Sequence, residues 1–332
     1  MAAEVFRISP SSKYLVMEVS SLTKKYGEIQ AIDSLNFNIK KGEVVGFLGP
    51  NGAGKSTTMK IITGYMAPTS GFAKVDGYDV FEFPLEVKKR IGYLPETPPV
   101  YTDMYVQDYL RYVAQLKGVE KSKLKSSVDM ALEKTNLTQV RKRLIQNLSK
   151  GFRQRVGIAQ ALVSDPEVLI LDEPTVGLDP KQVAEIRDLI KELRGKHTII
   201  LSTHILPEVQ AVCERIIIIN KGRIVAQDSL QNLSGLKSSA QKINLRIRRP
   251  QDDMAKILGA LKGVKGVHTG VTRNDWTLDA ENQEEIIESI AKEVMSRGYG
   301  LLEISSAKAD LEDVFLKLTY GDSANSPEAH HG

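Results

Sequence analysis

The chain carries little with which to build disulfides, cross a membrane or present a strongly charged surface. Of its 332 residues only Cys213 is a cysteine and only Trp276 a tryptophan, and aromatic side chains make up 6%. A lone cysteine has no second to pair with, which excludes a disulfide scaffold and fits a reducing cytoplasm. The longest apolar runs, such as Val168 to Leu171 and Ile216 to Ile219, fall far short of the roughly 20 residues that a membrane-crossing helix needs. Met1 to Pro10 contains Glu4 and Arg7 and no apolar stretch of signal-peptide length. The 45 basic and 41 acidic side chains leave a formal charge of +4, too slight a surplus to point to nucleic acid, which is not expected as a partner. What remains is an ordinary globular composition, 42% hydrophobic and 26% charged, and a length that suggests two compact units of roughly 100 to 200 residues each.

Periodicity divides the chain. Tyr14 to Val19 and Leu35 to Ile39 alternate apolar and polar positions, as half-buried antiparallel strands do. Glu43 to Leu48 is almost continuously apolar, the pattern of a strand buried on both faces, and Val168 to Leu171, Thr198 to Leu201 and Arg215 to Ile219 repeat it. A helix presents Val183, Ile186, Leu189, Ile190 and Leu193 on one face, and a helical insert over about 97–163 shows the same spacing at Val106, Tyr109, Leu110 and Val113. The expected fold is α/β, a mixed sheet core with an antiparallel part and the helical insert. Small polar residues at 235–241 read as a linker between a unit at 14–234 and a second at 242–320. The second reads β-α-β-β-α-β plus a final helix, a ferredoxin-like α+β pattern with Trp276 as a core anchor. Residues 1–13 and 321–332 are expected as a flexible extension and tail.

Gly49-Pro50-Asn51-Gly52-Ala53-Gly54-Lys55-Ser56 fits G-x-x-x-x-G-K-[ST] and lies between an apolar strand and a helix, the context this phosphate-binding loop requires. Its backbone must curl so that successive N–H groups face a polyphosphate, which side chains at those glycines would obstruct. Lys55 is then placed for the β and γ phosphates, the Ser56 hydroxyl for magnesium and Thr57 for a phosphate oxygen. The buried strand at Val168 to Leu171 ends in two adjacent carboxylates, Asp172 and Glu173. Asp172 suits a magnesium site and Glu173 a general base for the attacking water; the other reading is an Asp-Glu turn capping the next helix. Ser149 and Gly151 begin another helix and form either a second phosphate-binding surface or a simple cap.

Together these motifs, in this order, resemble the ATP-binding subunits of ATP-binding-cassette (ABC) transporters over about Val16 to Ser234. The resemblance implies a P-loop cassette that binds ATP and Mg2+ and a head-to-tail dimer, with itself or a paralogue, in which Leu148 to Phe152 of one subunit closes on the nucleotide held by the other. It further implies that Tyr26 stacks on adenine, that Asp179 lies in a loop passing between subunits, and that His204 senses the γ phosphate, with Glu173, His204 and Lys55 as the catalytic set. Glu96 stands where the family commonly has glutamine near the metal, and Lys150 and Phe152 depart from the usual Leu-Ser-Gly-Gly-Gln. These departures, like the extra domain, resemble the branch serving type-2 exporters. An ABC-2-type membrane permease is therefore the implied partner, and the inner face of the plasma membrane the implied location. A soluble relative acting on another macromolecule is the alternative; it predicts tandem cassettes or a coiled-coil insertion, and neither a second phosphate loop nor heptads occur. A GTPase is disfavoured because Asn220-Lys221-Gly222-Arg223 lacks the acid of the guanine-binding element.

Overall fold

The computed structural model describes residues 15–235, 241–270, 272–280, 283–307 and 311–320. The expected extension at 1–13, the tail at 321–332 and residues 236–240 of the expected linker lie outside the described residues. The chain divides into two compact units between Leu230 and Gln231.

In the first unit β1 (Leu15–Tyr26) and β2 (Ile29–Lys40) form a hairpin, followed by β3 (Val44–Leu48), α1 (Lys55–Ile62), β4 (Ser70–Val75), β5 (Tyr78–Asp79), α2 (Pro84–Arg90) and β6 (Ile91–Leu94). Helices α3 (Val106–Leu116), α4 (Leu124–Lys134) and α5 (Lys150–Leu162) come next. The unit continues with β7 (Val168–Asp172), α6 (Pro180–Leu193), β8 (Thr198–Thr203), α7 (Leu206–Val212), β9 (Arg215–Asn220) and β10 (Arg223–Ser229). The antiparallel sheet has the order β2-β1-β4-β5 and the larger sheet the order β10-β9-β3-β8-β7-β6. Strands β6, β7, β8, β3 and β9 run parallel and β10 closes the edge antiparallel to β9.

The alternation read at Tyr14 to Val19 stops short of the true strand, because β1 is irregular beyond Val19: Ser21 takes a left-handed backbone at φ 48° and the pairing with β2 shifts register between Val19 and Leu22. A bulge reverses which residues face the core, so the period of two breaks while the strand runs on. Every residue of β3, β7 and β8 is buried, as continuous apolar strands between covered faces require. The core between the two sheets holds Met17, Ile39, Phe47, Met59 and Ile217. A separate core under the helical insert holds Val106, Leu110, Leu132, Leu137 and Val156.

The second unit contains α8 (Leu230–Gly235), which spans the division, then β11 (Gln241–Ile247), α9 (Met254–Gly259), β12 (Val264–Thr269), β13 (Asp275–Ala280), α10 (Gln283–Ser296), β14 (Leu301–Ala307) and α11 (Leu311–Tyr320). Its sheet has the order β12-β13-β11-β14 with all pairs antiparallel, the ferredoxin-like arrangement. Trp276 is buried among Ile243, Leu245, Leu278 and Ile290.

In β6, a Cβ on Gly92 would fall on the Ala161 carbonyl at the end of α5, so the absence of a side chain there lets the helical insert seat directly on the sheet. Gly92→Ala is expected to destabilise the first unit by about 1–3 kcal/mol, because neither backbone segment can yield without disturbing the core; urea unfolding of the full chain measures it.

Candidate active site

Three parallel strands deliver the site to one edge of the sheet. Leu48 of β3 is in register with Thr203 of β8, and Asp172 of β7 with Ser202 of β8, so the segments that follow these strands emerge side by side, at the carboxyl ends where open α/β sheets place their ligands. A cleft of about 420 Å³ opens there, lined among others by Asn51, Lys55, Ser56, Glu96, Glu173 and His204.

In the loop from Gly49, two glycines have no room for side chains and Gly52 holds a left-handed backbone at φ 78°. A Cβ on Gly49 would strike the Ile219 carbonyl, and one on Gly54 would meet Ile32 and the Ala31 carbonyl. Gly54 also sits at φ 107°, a backbone that L residues rarely adopt, as it caps α1. Lys55 is buried and folds back over the loop, its Nζ donating to the Gly49 carbonyl at 2.7 Å and the Pro50 carbonyl at 3.3 Å.

Opposite the loop, Glu173 holds a left-handed backbone at φ 49°, a strained state for a non-glycine residue that costs roughly 1–3 kcal/mol and persists only where its surroundings impose it. Its amide donates to the Ser202 carbonyl at 2.8 Å. Its carboxylate lies 3.5 Å from Lys55 Nζ, and both of its oxygens lie 3.0 Å from His204 Nδ1. One buried carboxylate is thus clasped by a cation from the phosphate loop and an imidazole from the end of β8.

Asp172, immediately before it, is in a different state. Its Oδ1 is buried with no hydrogen-bond partner among the described residues. Burial pushes its carboxyl above the usual carboxylate range; the Ser202 and Ser56 hydroxyls beside it pull it down, and the charges of Glu173 and Glu96 push it up again. An orphaned oxygen beside a serine hydroxyl and a further carboxylate fits a hard divalent cation of magnesium type, which takes one or two protein carboxylates and fills its remaining positions from water and substrate phosphate.

A family model described as ABC transporter matches residues 32–176. The bacitracin transport ATP-binding protein BcrA of Bacillus licheniformis is 33% identical over 308 residues, covering 92% of this chain and 98% of that protein. The chain belongs to the ABC transporter ATP-binding proteins. The linearmycin resistance ATP-binding protein LnrL of Bacillus subtilis is 30% identical with 92% and 98% covered. Among solved structures, CbiO1 of Clostridium perfringens, part of the transporter complex CbiONQ, superposes with TM-score 0.62 at 31% identity, covering 68% of this chain and 92% of that one. The dimeric bacterial ABC transporter cassette MJ0796 gives TM-score 0.60 at 27% identity, covering 64% and 98%.

Within this ABC cassette the expected residues fall into separate groups. Asn51, Gly52, Gly54, Lys55, Ser56, Thr57, Glu96, Glu173 and His204 line the cleft. Gly49, Pro50 and Ala53 shape the loop from behind, and Asp172 sits beneath Ser56. Tyr26 is not among the lining residues: its exposed ring lies under Lys24, and its hydroxyl meets Met66 Sδ at 2.9 Å. Ser149, Gly151 and Asp179 form a separate cluster. Ser149 caps α5 by accepting from the Phe152 amide at 3.4 Å, Asp179 caps α6 by accepting from the Gln182 amide at 2.9 Å, and the Gln182 side chain lies over Gly151. Lys150 lies back over Gly177 in the same chain and fills the space a Cβ there would take. Reading the sequence missed Ala31 and Val176 in the cleft wall and Ser202 beside Asp172; none carries a motif, and only the folded sheet brings them in.

The raised Asp172 carboxyl has a testable consequence. An ionised, buried carboxylate costs folding stability at neutral pH, and the cost disappears as pH falls through the raised folded-state pKa. Asp172→Asn removes the charge at constant volume, so it is expected to raise the melting temperature of the nucleotide-free chain by about 2–4 °C, on the order of 1 kcal/mol. The gain should shrink as pH falls from neutral toward the ordinary carboxylate value of 3.8; thermal unfolding at a series of pH values reads both effects.

Proposed function

We propose that this protein hydrolyses ATP as a dimer of cassettes and thereby powers export through a separate ABC-2-type membrane permease. The observation that carries the reading is the Glu173 carboxylate held between Lys55 and His204 at the wall of the cleft. In hydrolysis Glu173 takes a proton from the attacking water, the water oxygen bonds to the γ phosphorus, and the bond to the bridging oxygen breaks with ADP as the leaving group. Lys55 and the amide-rich start of α1 hold the phosphate charge, and His204 keeps Glu173 aimed. Bound magnesium neutralises phosphate oxygens, and Asp172, Ser56 and Glu96 are the residues that would hold it. Ser149, Gly151 and Asp179, being away from this cleft, fit the half of the site that one subunit lends to its partner, and the exposed Tyr26 fits an adenine platform.

Transport is the use of this hydrolysis supported by the relatives' names and by a second surface. No helix among the described residues is long and apolar enough to cross a membrane. Between α2 and the helical insert lies a groove of about 420 Å³ whose wall includes Leu85, Pro99, Tyr101, Tyr112 and Leu116. Tyr101, Tyr112 and Leu116 are exposed, and Tyr109 behind them donates to the Pro99 carbonyl at 3.0 Å, its phenol pushed by burial up to about 12. Such an aromatic groove suits a short amphipathic helix from a permease, with the cassette peripheral at the inner membrane face. Residues 14–234 serve as the nucleotide-binding unit on this reading and 242–320 as an accessory domain.

Glu173→Gln is expected to keep ATP binding while steady-state phosphate release falls about 10²–10⁴-fold; unchanged turnover removes Glu173 from the base role. Leu116→Glu, at the groove, is expected to leave ATP hydrolysis intact and to abolish recovery of an integral-membrane partner from detergent-solubilised membranes. Equal recovery with the wild-type chain places the permease elsewhere.

A further inference from the structure

Glu208 is buried in the first turn of α7, four residues after His204, with 4% of its surface exposed. It makes no ion pair among the described residues. Its two oxygens are committed to hydroxyls from two separate segments, the turn after β7 and the end of β8: Thr175 Oγ1 donates to Oε1 at 2.5 Å and Thr203 Oγ1 to Oε2 at 3.0 Å. Burying a carboxyl without a cation is costly, and here the outlay joins the two segments that carry Glu173 and His204.

Each hydroxyl sits where it governs backbone direction. Thr203 directly precedes His204, and its hydroxyl accepts from the Ile205 amide at 3.1 Å, so one side chain brackets the histidine on both sides. Its carbonyl accepts from the Gly49 amide of the phosphate loop at 3.4 Å. Thr175 lies two residues beyond Glu173, in a turn where the Val176 amide donates to the Glu173 carbonyl at 3.3 Å and the Leu178 amide to the Thr175 carbonyl at 3.1 Å. That turn leaves the strained left-handed position of Glu173. Helix α7 is set close enough for the reach because Gly46 of β3 has no side chain; a Cβ there would strike Val209.

Resting on the reading of Glu173 as base and His204 as its partner, we propose that Glu208 is a positioning residue that locks the Glu173 and His204 loops in register, so that the carboxylate and the imidazole face each other. Both hydroxyls donate, so both carboxyl oxygens must accept. Glutamine keeps the shape but replaces one acceptor oxygen by an NH2 donor, so one threonine hydroxyl must turn from donor to acceptor and both lose a bond to a carboxylate.

The test uses the purified full-length chain and compares turnover, KM for Mg-ATP and melting temperature. Glu208→Gln is expected to lower kcat about 10²-fold, the order of loss that follows a displacement near 1 Å at a catalytic group, with KM and melting temperature close to wild type. Thr175→Val and Thr203→Val, which remove one donor each, are expected to lose turnover in the same way, and serine at either position, restoring the hydroxyl, to recover most of it. Because the three act as one unit, adding Thr203→Val to Glu208→Gln should cost little more than Glu208→Gln alone. Full turnover in Glu208→Gln, or losses confined to KM or to melting temperature, overturns the positioning role. Should Glu208→Gln fail to fold, the valine and serine pairs decide alone: valine variants as active as wild type overturn it. A wild-type chain without ATPase activity instead refutes the hydrolase reading and this role with it, whereas an active wild type with an equally active Glu208→Gln refutes this role only.

Discussion

The contact on which the site depends is the clasp of one buried carboxylate, Glu173, between the Lys55 amine and the His204 imidazole. A carboxylate at that depth would be costly to hold ionised without partners, and its backbone would not stay left-handed without neighbours that impose it. The clasp meets both demands and also ties the phosphate loop to the ends of β7 and β8. It leaves Lys55 engaged with carbonyls of its own loop and with Glu173.

The parallel sheet makes the clasp possible. Strands β3, β7 and β8 pair in register along their whole length, so the turns that follow them must share one edge, and each turn contributes a different chemical group. Close packing on both covered faces fixes their level relative to one another, since a slip of one position would exchange side chains of different size between the two faces. Precision at the site is inherited from packing behind it, and the glycines at 46 and 92 extend that packing to helices α7 and α5.

The Ser149 to Gly151 segment and the Asp179 loop form a second, separate assembly, held together within the chain by Gln182 and Lys150. The Lys150 amine lies in the space a side chain at 177 would take, and Gly177 holds a left-handed backbone at φ 69° that favours glycine in its own right. Asp172 keeps a buried oxygen without a partner among the described residues, and burial holds its carboxyl above the usual carboxylate range.

Much of this was legible from residue order. The phosphate loop, the Asp172-Glu173 strand end and the helix start at Ser149 each carry their chemistry in a short contiguous motif, because backbone curl, strand burial and helix capping are local demands. The buried strands and the β-α-β-β-α-β succession of the second unit follow from periodicity, except where the bulge after Val19 hid the remainder of β1. The partners of those motifs were not legible. Whether Lys55 faces Glu173, which threonines Glu208 joins, and that Lys150 lies over Gly177 depend on residues far apart in the chain, brought within hydrogen-bond reach only by strand register and helix seating. Sequence alone thus determined which groups the protein possesses and the local shape around each; tertiary structure decided which of them meet, because non-local contacts are set by the packing of the whole unit and leave no trace at any single position.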